Sequence, residues 1–463
     1  MDGDMRANPY LVGNFAPIRS EDDYDLTVKG EIPREMRGAL FRIGPNPQFE
    51  PRDPNHHWFA GDGMVHGFYV EDGKVSYRNR YVRTPKWRAE NEAGRSLFGT
   101  FGNPMTTEPD RIGQDSGVAN TNIVWHAGKL MALEEGHMPT RMDPRTLETI
   151  GYDEAYLGRT TAHPKLDPAT GEMVWFGYGV GPMPFSAGMS YGVTDPQGRV
   201  VRRDDFEAPF ASMVHDFMVT ENHVLFPILP LTGSLERAMG GRPPFAWEPD
   251  KGSHVGVMRR DGSVDSIRWF NTEACYVFHP LNAWEEDGRL FADVMRYDNA
   301  PLFPNADGSP GAKAAARLVR WTFDLAGDSD AIHEAPLDDL DGEFPRVDPR
   351  VETRRHRPGW YACDPAGLQT IKQTAIAHLD LQTGRRQVYE LDGGDMTSEP
   401  VFVPRSDAAP EGDGWLTAVV WRAAENRSDL LIFEAQDLAK GPIGIAEMPR
   451  RVPFGFHGNW AGL

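Results

Sequence analysis

The chain holds only two cysteines, Cys275 and Cys363, in 463 residues. With no CxxC spacing they supply neither a disulfide framework nor a thiolate zinc or redox pair. Long apolar runs are missing as well. Nothing approaches the roughly 18 residues that cross a bilayer, and the polar start Met1-Asp2-Gly3-Asp4-Met5-Arg6 lacks the apolar core of a signal peptide. A cytoplasmic protein is the expectation. Basic charge is scarce: 48 Lys and Arg stand against 68 Asp and Glu, a net charge of −20. That balance argues against nucleic acid, whose phosphates need a basic face, and favours a neutral or apolar small molecule. There is no HExxH for a helical zinc protease, no GxGxxG opening a βαβ unit and no GxxxxGK[ST] loop. A Ser-His-Asp hydrolase would need a GxSxG elbow, and that elbow is read as lacking.

What the chain has in quantity is turns. Its 48 Gly and 38 Pro are spread along the length without forming a low-complexity linker. Glu71-Asp72-Gly73-Lys74, His126-Ala127-Gly128-Lys129 and Glu286-Asp287-Gly288 each separate short apolar runs, and Asp195-Pro196-Gln197-Gly198 and Gln382-Thr383-Gly384 repeat the device. Glycine and aspartate accept the positive φ of tight hairpins, between β-branched and aromatic residues. Helical signals are few: 87–93 predicts a turn or two, and 313–317 another. Hairpins over the whole length predict one closed all-β domain, residues 1–463, and a propeller fits best. No WD or kelch signature is present. The apolar run 225–231 reads as core, with a membrane or greasy-ligand contact as the alternative.

Four of the 14 histidines sit in compact settings: Ala162-His163-Pro164, Val214-His215-Asp216, Phe278-His279-Pro280 and Phe456-His457-Gly458. Inner strands of a propeller point at a common axis, so residues this far apart in sequence can meet around one metal. The other histidines have plainer readings. His56 and His57 are adjacent, His126 lies in a turn, His223 and His378 lie on strands, and His333 and His356 are in polar stretches.

The company of the four is specific. Gly30-Glu31-Ile32-Pro33, Gly38-Ala39-Leu40-Phe41-Arg42-Ile43-Gly44-Pro45-Asn46-Pro47 and Trp58-Phe59-Ala60-Gly61-Asp62-Gly63 come first. Ala119-Asn120-Thr121, the four histidine motifs and Ser398-Glu399-Pro400 follow in order. In this the chain resembles the carotenoid cleavage oxygenases over nearly its whole length, including their lignostilbene dioxygenase and retinoid isomerase branches. The resemblance implies a seven-bladed β-propeller, its short helices and loops capping an axial site. There Fe(2+) would be held by His163, His215, His279 and His457, a carboxylate-free set that leaves positions open for O2. It further implies that Glu135, Glu343 and Glu399 orient the histidines, with His163 lacking a glutamate partner. Thr121 would crowd an open iron position, and Phe59 would stack along the substrate.

The implied reaction is cleavage of a conjugated C=C bond by O2 into two carbonyl products, with an apocarotenoid or a stilbene- or phenylpropenoid-type alkene as substrate. Where stilbene-cleaving members carry a tyrosine and a lysine for the substrate's phenol, the matching positions here are Phe101 and Glu134. Neither suits a phenolate, although Glu134 offers an acceptor for a hydroxyl. An iron-free propeller binding a hydrophobic ligand, and an isomerohydrolase of the same fold, are the alternatives.

Overall fold

The computed structural model describes residues 8–100, 103–367 and 372–463. The chain forms two compact units: Met1–Ala162 with Leu391–Arg405 and Gly414–Leu463, and His163–Glu390 with Ser406–Asp413. The first unit has three antiparallel sheets. One runs Asp23–Asp25, Lys74–Tyr81, Gly63–Glu71, Gly38–Pro45 and Gly458–Ala461. The next is the meander Asn122–His126, Lys129–Leu133, Thr140–Met142 and Thr149–Tyr152. The third is built around Gly414–Arg422, Arg427–Glu434 and Gly444–Glu447. The second unit has four four-stranded sheets, beginning at Lys165–Leu166, Met218–Val219, Tyr276–Glu286 and Asp341–Arg346. A two-stranded ribbon, Leu231–Gly233 with Phe245–Trp247, joins them. Three sheets and four make the seven blades of an all-β propeller.

The turn chemistry explains the hairpins. Asp72 and Gly73 have φ of 49° and 76°, the two left-handed residues that let Glu71 pair with Lys74 without splaying the twisted strands. Ala127-Gly128 and Asp287-Gly288 repeat the geometry. The strands alternate accordingly. Lys74–Tyr81 buries every second residue, placing Val75 and Tyr77 in the same core as Leu40, Trp415 and Leu430. The second unit has a core of its own around Phe176, Phe217 and Phe226. Full burial of side chains this large contributes about 1.5–3 kcal/mol each.

The helix expected near 87–93 is Pro85–Ala93, capped by Thr84 Oγ1 accepting the Trp87 N–H and closed by left-handed Gly94. The turn of helix expected at 313–317 is absent. That segment is irregular and then enters the strand Arg317–Asp324. Alanine's helix preference is a weak local bias, and Ala316 is engaged instead with the strand Asp341–Arg346, its N–H donating to Asp341 Oδ1 and its carbonyl accepting the Gly342 N–H. The run 225–231 is core: Leu225, Phe226, Ile228 and Leu231 are all fully buried, so it offers no face to a membrane. Among the described residues, no helix is long and apolar enough to cross a membrane. Cys275 and Cys363 are both buried and free.

Candidate metal centre

Three of the candidate histidines, His163, His215 and His457, sit just before a strand. His163 and His215 precede Lys165–Leu166 and Met218–Val219 by two and three residues. His279 lies inside Tyr276–Glu286, where the pairing with Arg289–Tyr297 is interrupted between Val277 and Pro280. Proline cannot donate to a ladder, and such a bulge re-aims the side chain beside it. In the second unit the three rings meet: His163 Nε2 and His279 Nε2 each lie 3.1 Å from His215 Nε2.

Three imidazole nitrogens in such contact need a cation or shared protons between them. Two nitrogens bound at about 2.1 Å and at a right angle would be about 3.0 Å apart, which matches the observed spacing. The residues therefore fit a metal ion.

The outer nitrogen of His279 faces Glu343, with Nδ1 2.5 Å from Oε2. An ionised carboxylate only accepts, so Nδ1 carries the proton and Nε2 keeps its lone pair. Glu343 is held in turn by the Phe344 N–H at 2.7 Å and by the Tyr297 hydroxyl at 3.0 Å. Burial, with Glu343 alongside, raises the Tyr297 pKa well above its ordinary value, so it remains a donor. A carboxylate other than a glutamate lies near His163: Asp216 Oδ2 is 3.6 Å from its Nδ1. Asp216 is itself buried and fixed by Lys165 Nζ at 2.7 Å and the Phe217 N–H at 2.6 Å. The sequence reading missed both Tyr297 and Asp216. Asp216 stood in plain view beside His215.

His457 belongs to the first unit. Its Nδ1 donates to Glu399 Oε1 at 3.0 Å, and the Gly458 N–H donates to Oε2 at 2.8 Å. Its segment lies against the strand Gly38–Pro45 through Phe456 N to Ile43 O and Ile43 N to His457 O, both 3.0 Å. Two glycines permit that approach, since a Cβ on Gly44 would come 2.5 Å from the Gly455 Cα. The buried guanidinium of Arg42, drawn down to about 10 by burial, balances Glu399. Thr121 is adjacent: its carbonyl accepts the His457 N–H, and its hydroxyl donates to Asn120 Oδ1 at 2.9 Å. Asn120 also donates to the carbonyls of Phe59 and Gly61, each at 2.7 Å, and the Phe59 ring meets Phe456 edge-on at 5.4 Å. Phe59, Thr121 and His457 thus share one hydrogen-bonded support. The four buried histidines, His163, His215, His279 and His457, could hold a metal ion.

The remaining site residues divide. Glu135 is half-buried just beyond Lys129–Leu133. Glu134 does not stand as a free acceptor, because the Val118 N–H and His137 Nδ1 both lie 2.9 Å from its Oε1. Burial opposes charge on both partners, yet their mutual attraction prevails. Glu134 is held below the usual carboxylate range and His137 above the usual imidazole range. Phe101 lies outside the described residues. A GxSxG spacing does occur, at Gly188-Met189-Ser190-Tyr191-Gly192, but it lies within the strand Gly188–Thr194 and Ser190 is fully buried. No exposed nucleophile results.

Blades of antiparallel sheet with buried histidines, two of them backed by glutamates, define a β-propeller with a candidate metal centre. The family profile described as "Retinal pigment epithelial membrane protein" matches residues 15–462. Isoeugenol monooxygenase of Pseudomonas putida is 41% identical, with 98% of each chain covered. Lignostilbene-alpha,beta-dioxygenase isozyme III of Sphingomonas paucimobilis is 38% identical over 97% of this chain and 96% of its own. The crystal structure of Pseudomonas brassicacearum lignostilbene dioxygenase superposes with a TM-score of 0.93 at 36% identity, covering 98% of both chains. Cobalt-substituted Synechocystis apocarotenoid oxygenase gives 0.85 at 30%, covering 96% and 97%. The chain belongs to the carotenoid cleavage oxygenase family and is an oxygenase.

Proposed function

We propose that this chain is an Fe(II)-dependent dioxygenase that splits the conjugated C=C bond of a small aryl alkene or apocarotenoid into two carbonyl products. His163, His215, His279 and His457 would hold the ion as neutral imidazoles. The observation that carries this reading is the 3.1 Å spacing of His163, His215 and His279 Nε2, with Glu343 on the far nitrogen of His279. Bound Fe(II) would supply the chemistry by which O2 adds to an electron-rich double bond.

The chain's own residues do the rest. Glu343 and Glu399 fix the tautomer and plane of His279 and His457, and Glu135 serves another ring in the same way. Such partners are worth roughly 10–100-fold in metal affinity or activity. Thr121, its hydroxyl turned toward Asn120, narrows the space next to His457. Phe59, on the same support, gives the alkene an apolar face to lie against. The family profile spans both compact units, which supports reading them as one 1–463 domain. Two buried free thiols suit the cytoplasm.

The test is mass spectrometry of products from isoeugenol, stilbenes and apocarotenals under labelled O2, on protein assayed for iron. Label in both products with near one iron per chain is expected. Label in one product only makes the chain a monooxygenase, and no O2 consumption with any alkene removes the oxygenase reading in favour of an isomerohydrolase or a ligand-binding propeller.

A further inference from the structure

In the first unit, residues 117–121 form no helix or strand, yet their backbone is pinned. The Gly117 N–H donates to Asp115 Oδ1 and the Val118 N–H to Glu134 Oε1, both at 2.9 Å. The Ala119 N–H contributes to the same Glu134 carboxylate, and the Thr121 N–H donates to Leu133 O at 2.9 Å. Between these anchors Ala119 has a φ of 43°, a left-handed conformation that a residue other than glycine keeps only where its surroundings impose it. The strand Gly63–Glu71 seats the turn from below: the Gly63 N–H donates to Val118 O at 2.8 Å, and a Cβ on Gly63 would come 2.2 Å from Ala119 O.

The carboxylate that takes these donors is itself held. Glu134 Oε1 is 2.9 Å from His137 Nδ1, and His137 Nε2 is 3.5 Å from Asp115 Oδ1. Tyr152 donates its hydroxyl to Asp115 Oδ2 at 2.9 Å. Burial opposes charge on His137, but the attraction of Glu134 and Asp115 outweighs it. The charged ring therefore presents an N–H to each carboxylate. Hydrogen bonds to an ionised acceptor are roughly twice as strong as neutral ones, so a charged Glu134 can keep a strained turn from relaxing.

The far end of the same segment reaches the metal centre. The Thr121 carbonyl accepts the His457 N–H at 3.2 Å, and its hydroxyl donates to Asn120 Oδ1.

We propose that Glu134, held by His137, is a positioning residue of the metal centre: it fixes the left-handed turn at Ala119 and, through Thr121, sets the place of the His457 backbone. The part played by His457 rests on the oxygenase reading, whereas the mechanical coupling from Glu134 to His457 does not.

The test is hydrogen exchange of the full chain, read at single amides, for the wild type, Glu134→Gln and His137→Ala. Glu134→Gln should speed exchange at both Val118 and His457 by about tenfold, the weight of one charge-assisted hydrogen bond. His137→Ala should give the same pattern at smaller size, and the strand Arg289–Tyr297 of the second unit should not change. Faster exchange at Val118 with none at His457, or an equal rise in Arg289–Tyr297, overturns the proposal. Should Glu134→Gln not fold, His137→Ala, at a partly exposed position, decides by the same pattern. Cobalt(II) titration of the same proteins, read by visible absorption, checks the site: a shifted spectrum in Glu134→Gln is expected, and an unchanged one overturns the positioning role. No cobalt binding by the wild type sinks the metal reading instead, and the exchange data still decide whether Glu134 is coupled to His457.

Discussion

Glu343 accepts from three groups at once, and that crowding makes it the sharpest probe at the scale of single residues. Glu343→Gln keeps the volume but puts an amide against His279 Nδ1, and it should lower metal content under limiting iron by about 10–100-fold, read by elemental analysis. Tyr297→Phe removes one donor and leaves the carboxylate in place. Its loss of metal should be smaller, about tenfold or less, and a loss equal to that of Glu343→Gln would refute the hierarchy. The histidines and the glutamates at 343 and 399 were legible in the sequence because they sit in compact motifs that the resemblance picks out. Tyr297 was not, since nothing local marks one strand tyrosine out from another. Asp216 was legible in principle, but its role depends on the fold bringing it within 3.6 Å of His163, a distance sequence cannot supply.

At the scale of elements, the helix Pro85–Ala93 is fastened by a buried charge cluster. Lys86 Nζ lies 2.6 Å from Asp62 and 2.9 Å from Glu90, and Glu90 Oε1 also accepts the Leu97 and Phe98 N–H groups. Burial disfavours the ammonium, but the two carboxylates outweigh it and raise the Lys86 pKa. Lys86→Met would leave two carboxylates facing each other without a cation. The expected cost is about 3–5 kcal/mol, measured as a fall in the urea midpoint, and a loss under about 1 kcal/mol, the range of an exposed pair, would show that the cluster is not tightly coupled. The helix was visible in the sequence as the turn or two expected at 87–93. The absent helix at 313–317 shows the limit of such signals: a weak local preference yields where the backbone, as at Ala316, is held by a neighbouring strand.

For the whole molecule, the fold class was readable because two-residue turns recur along the entire length, whereas the division into two compact units left no trace in composition. Acid stability is also a property of the whole. Burial pushes His56, His356 and His378 down to about 4, 3 and 4, so all three are neutral when folded. The unfolded chain, with ordinary values near 6.5, takes up protons first as pH falls. The stability these groups contribute is therefore complete above about pH 6.5 and declines toward pH 4, by up to about 1.4 kcal/mol per pH unit for each. Urea midpoints from about pH 7 to about pH 4.5 should fall accordingly, and His378→Phe, which can keep the stack on Trp360, should flatten the slope by one histidine's share. The pairing of Gly38–Pro45 with Gly458–Ala461 carries a further consequence for biosynthesis. During translation the early strand waits, one edge bare, until the ribosome has released a partner made hundreds of codons later. His457 gains its place only at that moment, so a metal ion that needs its ring could be held only once synthesis has run past residue 461.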